Sequence, residues 1–140
     1  MRADDRRRRG FTLVELLVVI AILGLLAALA TPQVMAHLGR ARIQLAKMEI
    51  KNIGTALDLF RIDVARYPTQ DEGLQALITQ PANLDSWKGP YIDKTASLKD
   101  PWGTPYVYRI PGQHGEYDLL SFGPSKIEGG TNDNPEITNW

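Results

Sequence analysis

Arg6-Arg7-Arg8-Arg9-Gly10-Phe11-Thr12-Leu13-Val14-Glu15, followed by an almost unbroken apolar run to Ala30, decides the fold of this 140-residue chain. Phe11 to Ala30 is 20 residues. At about 1.5 Å per residue a helix of that length covers about 30 Å, the thickness of a bilayer's hydrocarbon core. One carboxylate, Glu15, lies inside the stretch, four residues after Phe11. Insertion scales put a carboxylate in lipid at roughly 2.5–3.5 kcal/mol, so Glu15 calls for a partner and marks a functional position.

The charge distribution orients this segment. Residues 1–10 hold five Arg and two Asp, leaving 11 basic and 14 acidic side chains in the rest of a formally neutral chain. By the positive-inside rule the basic block keeps the N-terminus cytoplasmic and places the rest across the membrane. No second basic patch or aromatic platform accompanies Arg6 to Arg9, so no nucleic-acid partner is expected. The chain has no cysteine, which excludes disulfides and thiol chemistry. Nothing reads as catalytic. His37 and His114 lack partners at zinc-site spacing, and no phosphate loop, serine elbow or His-Glu-x-x-His occurs. Asp71-Glu72 reads as a solvated helix start.

Thr31-Pro32 interrupts the apolar run, and from Gln33 the pattern becomes amphipathic. Ala46, Ile50, Ile53, Leu57, Phe60 and Val64 recur at spacings of four and three, one helical face, with Arg42, Lys47, Lys51, Asp58 and Arg61 off it. One helix from about Phe11 to about Ala65 is predicted, about 80 Å long if straight. Pro32 is expected to kink or locally unwind it. The 46–64 stripe should bury a small domain, and the 11–45 portion should pack against other subunits. His37 is expected on the exposed or subunit-facing side of the helix. Tyr67-Pro68-Thr69 ends the helix, because a residue before proline avoids the helical region.

Further on, Leu74 to Ile78 suits a short helix closed by Pro81, and Asn83 to Lys99 reads mostly as loop, anchored by Trp87-Lys88-Gly89-Pro90-Tyr91-Ile92. Asp100-Pro101-Trp102-Gly103 is a type I turn by its residue types. Pro105 to Ile110 and Glu116 to Phe122 read as two antiparallel strands about a Pro-Gly turn at 111–112. The tail from Gly123 to Trp140 reads as a loop that needs external fixing. The fold class is α+β: a long N-terminal helix, transmembrane then amphipathic, packed on a small antiparallel sheet.

Gly10-Phe11-Thr12-Leu13-Val14-Glu15 resembles the leader junction of type IV pilins and type II secretion pseudopilins. The resemblance implies cleavage after Gly10 by a prepilin peptidase, N-methylation of Phe11, and pairing of Glu15 with a neighbouring subunit's terminal amine. Tyr67-Pro68-Thr69, Gly73-Leu74, Trp87 to Ile92, Asp100 to Gly103, Pro105-Tyr106, Gly115 to Asp118, Ser121 to Gly123, Glu128 to Gly130 and Ile137 to Trp140 resemble, in that order, the major pseudopilins of type II secretion, the GspG type. The chain then divides into a leader (1–10), the transmembrane and assembly half of the helix (11–32), its amphipathic half (33–65) and a periplasmic α+β domain (66–140).

The implied function is structural. The chain is expected to be the major subunit of a pseudopilus that drives protein export across the outer membrane, held in the bacterial inner membrane with its N-terminus cytoplasmic before assembly. Implied partners are further copies of the chain, minor pseudopilins, the prepilin peptidase, and an inner-membrane platform with its ATPase. The family also implies calcium in the loop after the last strand. Here the carbonyl of Phe122 with Ser125, Asn132 and Asp133 are the candidate ligands. The family commonly reads Gly-Ala-Asp-Gly where this chain has Gly123-Pro124-Ser125-Lys126. Calcium favours six to eight oxygens, carboxylates among them, so serine in place of aspartate should weaken it. Three other readings compete: a type IV pilin for attachment, motility or DNA uptake; a plain single-span anchor; and a soluble periplasmic binding domain freed near Thr31 after the A-x-A-like Ala28-Leu29-Ala30.

Overall fold

The computed structural model describes residues 10–93 and 98–140, with the backbone alone described at 30–33. Apart from Gly10, the leader with Arg6 to Arg9 lies outside the described residues, as does part of the loop expected over 83–99. Helix α1 spans Leu13–Val64. Its bonding continues across Thr31-Pro32, so the local unwinding expected there is absent: proline removes a single donor from an otherwise complete ladder. The helix stops at Val64, and Ala65 turns into the left-handed region at φ 63°.

The chain divides into two compact units, one ending at Gly39 and the other spanning Arg40–Trp140. In the first, the described side chains from Phe11 to Leu29 are all exposed. That helix is long and apolar enough to cross a membrane, by length and composition. In the second unit α1 buries Ala46, Ile50, Ile53, Leu57 and Phe60, as its spacing predicts, with Ala56 added and Val64 half-buried. On the opposite face Met48, Leu59 and Ile62 are exposed.

Three strands complete the core: β1 (Val107–Arg109), β2 (Asp118–Ser121) and β3 (Ile137–Thr138), antiparallel in the order β1-β2-β3. Val107 faces Leu120, and Ser121 faces Ile137. β3 corrects the reading of the tail as loop alone. Asn139 fixes it further, donating its N–H to the Leu119 carbonyl (3.0 Å) and accepting the Leu119 N–H on Oδ1 (2.8 Å). The strands are shorter, and their connection longer, than the pattern suggests. Buried Asp118 explains why, for it accepts N–H groups from Gln113 (2.9 Å) and His114 (3.0 Å) and holds the connection as a turn of its own. Burial pushes the Asp118 carboxyl up, but those two N–H groups and the His114 ring outweigh it and leave the carboxyl below its ordinary range.

The loops are tied down by polar and aromatic contacts. Trp87 donates its ring N–H to the Ala76 carbonyl (2.8 Å) in the short 3-10 turn Leu74–Leu77, and Tyr91 donates to Asp63 on α1 (3.0 Å) while its ring meets Phe60 edge-on at 5.6 Å. A Cβ on Gly89 would lie 2.5 Å from Trp87 Cζ2, so only glycine lets this anchor close. Asp100 is buried in the turn it initiates: it accepts the Trp102 and Thr104 N–H groups and the Ser121 hydroxyl, pinning that turn to β2. Gln70 accepts the Ile110 N–H (3.0 Å) and donates to the Tyr108 carbonyl (2.9 Å), satisfying the outer edge of β1.

Asp71 is exposed, but Glu72 is not the solvated acid its sequence suggested. Both its oxygens accept from Arg66 (2.7 and 2.8 Å), and it exchanges hydrogen bonds with Thr69, a capping box at Thr69-x-x-Glu72. The Arg66 guanidinium first, with the Thr69 N–H, holds the Glu72 carboxyl at about 2 against an ordinary 4.5. A depressed carboxyl stabilises the fold above its unfolded pKa and loses that contribution as pH falls through the folded value. Glu72→Gln is therefore expected to lower the melting temperature of the detergent-solubilised chain at neutral pH and to converge with the parent toward pH 2. Parallel melting curves across that range would show that the Arg66 contact contributes nothing.

Candidate functional site

The junction at Gly10 and Phe11 lies at the head of α1. Both residues are exposed, Phe11 at 82 %. Gly10 has no left-handed φ, and a Cβ built on it meets nothing within 4 Å. The fold itself therefore does not require glycine at this position; any requirement comes from outside the folded chain. Thr12 caps the helix, its Oγ1 accepting the Glu15 N–H at 3.2 Å while its carbonyl accepts the Leu16 N–H at 3.2 Å. Thr12 escaped the sequence reading, although Thr-x-x-Glu before an apolar run is a capping signature.

Glu15 thus sits in the first turn of α1, where the helix dipole favours a negative charge. That interaction is worth about 0.3–1 kcal/mol at an exposed end. It falls short of the roughly 2.5–3.5 kcal/mol that a carboxylate costs in lipid. Among the described residues the Glu15 carboxylate has no ion pair or side-chain hydrogen bond. Capping alone does not account for it.

The loop after β2 holds the candidate calcium ligands. Phe122 and Ser125 come together, but through a hydrogen bond: Ser125 Oγ donates to the Phe122 carbonyl at 2.9 Å and accepts the Ile127 N–H at 3.4 Å. Asn132 and Asp133 stand exposed at the tip of a turn closed by Thr131 and Asn134 backbone bonds, and no described contact joins them to Ser125 or Phe122. Among the described residues no three His, Cys, Asp or Glu side chains cluster. With one uncommitted carboxylate and a serine proton between two of the required oxygens, this donor set does not fit calcium. His114 takes another role, its ring stacked on Trp140 at 3.9 Å and within 3.2 Å of Asp118.

Residues 33–140 match the family described as Type II secretion system (T2SS), protein G, and residues 5–31 match the prokaryotic N-terminal methylation motif. Type II secretion system core protein G of Pseudomonas aeruginosa is 43% identical over 139 residues, covering 96% of each chain. Its counterpart in Escherichia coli K12 is 44% identical, covering 100% of this chain and 95% of the relative. The crystal structure of the major pseudopilin from the type 2 secretion system of enterohaemorrhagic Escherichia coli superposes with a TM-score of 0.64 at 32% identity, over 76% of this chain and 88% of that one. A long helix with this sheet, headed by a methylation motif and matched along nearly its whole length, leaves one assignment: the chain belongs to the type II secretion system protein G family, the pseudopilins.

Proposed function

We propose that the chain is cut between Gly10 and Phe11 by a prepilin peptidase, methylated on Phe11, and polymerised with copies of itself and minor pseudopilins into a periplasmic pseudopilus that drives export across the outer membrane. Before assembly the subunit waits in the inner membrane, N-terminus cytoplasmic, and an assembly platform with its ATPase draws it out. Its role is mechanical rather than catalytic. The observation that carries this reading is an apolar helix exposed from Phe11 to Leu29 whose one acid, Glu15, has no partner among the described residues. A bilayer covers that surface before assembly, and neighbouring helices cover it afterwards. Met48, Leu59 and Ile62, exposed on the face of α1 opposite the core, extend the surface available to neighbours.

The test is the intact mass of the protein recovered from native membranes. A chain beginning at methylated Phe11 is expected. A chain beginning at Thr31 would replace filament assembly with an exported soluble domain.

A further inference from the structure

The chain leaves β2 at Ser121 and returns to pair with it at Ile137, so whatever holds the intervening loop sets the docking of β3. Three contacts made by this loop engage oxygens that a cation could otherwise use. The Ser125 hydroxyl donates to the Phe122 carbonyl at 2.9 Å. Glu128 forms an ion pair with Arg109 of β1, the strand on the other side of β2. Glu136 accepts the Gly129 N–H at 2.6 Å. Lys126, in the left-handed region at φ 56°, adds a second cationic side chain beside Ser125. The positive charge that balances Glu128 is thus carried by the protein.

We propose that this loop is closed by a metal-independent clasp, Arg109–Glu128 with Ser125–Phe122 and Glu136–Gly129, so that β3 docks on β2 without a divalent cation. The clasp reaches across the sheet. Arg109 lies on β1 opposite Asp118 of β2, so its pairing with Glu128 ties the loop to the far edge rather than to its own strand. Its ionic component is exposed, with side-chain accessibilities of 38% at Arg109 and 69% at Glu128. Such a pair is screened by simple salt, whereas a calcium-closed loop would answer to the divalent cation itself.

The test is amide hydrogen exchange of the full chain in detergent, read over 122–140, in chelator and in millimolar calcium. Wild-type protection of the Ile137 and Asn139 amides is expected to be the same in both. Glu128→Gln and Arg109→Gln should each raise exchange there several-fold, equally with and without calcium. Glu128 is largely exposed, so its variant should fold even if the Arg109 variant does not. Protection that rises with calcium in the wild type would overturn the clasp, and so would unchanged exchange in the Glu128 variant.

Discussion

Replacing Gly10 by valine is expected to leave the ten-residue leader on the protein and to abolish filaments, with the folded domain intact. The structure separates the two effects. Valine's Cβ meets nothing within 4 Å at this position, and Gly10 has no left-handed φ, so the substitution costs the fold nothing. What it changes is access to the exposed junction by a peptidase that must approach the backbone closely. The retained leader carries Arg2 and Arg6 to Arg9. Each arginine dragged through the hydrocarbon core costs roughly 2.5–3.5 kcal/mol on insertion scales. Five of them oppose extraction far more strongly than Glu15 alone. Intact mass should show the unprocessed chain, and melting of the solubilised protein should match the wild type. Normal-sized, methylated protein from this variant would remove the basis for assigning cleavage to Gly10.

The long helix was more legible in the sequence than the strands and loops beyond it. The stripe from Ala46 to Phe60 is buried as its period predicts, because one helix packed on one sheet turns spacing directly into a face. Asp100 likewise opens a turn whose Gly103 N–H returns to its carbonyl at 2.8 Å. β3 was hidden. Ile137-Thr138 is too short to show alternation, and it becomes a strand only through β2, which lies far from it in sequence. β2 falls inside the strand predicted over Glu116 to Phe122, but all four of its residues are buried, because it is the middle strand of the sheet. Glu72 was misread for a similar reason: its partner Arg66 is visible in sequence, but the turn that aims one at the other is not. At the candidate site the Thr12 cap went unread although Thr12-x-x-Glu15 carries its signature, and the Glu15 carboxylate has no partner among the described residues.

Glu15→Leu should leave processing at Phe11 unchanged and reduce filament yield by at least tenfold. On insertion scales the exchange of a carboxylate for leucine favours the bilayer by roughly 3–4 kcal/mol at the centre of a helix, less near its end. The variant subunit is therefore held in the membrane more firmly than the wild type. It also arrives at the growing filament with nothing to neutralise a neighbour's Phe11 ammonium in a water-poor core, where an unpaired charge is costly. Both effects oppose assembly, and Glu15→Gln isolates the charge. The Thr12 cap engages the backbone N–H of residue 15, not its side chain, so glutamine keeps the cap and the side-chain shape and loses only the charge. If Glu15→Gln assembles like the wild type, the ion pair is wrong and a polar side chain of this shape suffices at position 15. If it fails as Glu15→Leu does, with normal methylated mass, the charge itself is what the filament requires.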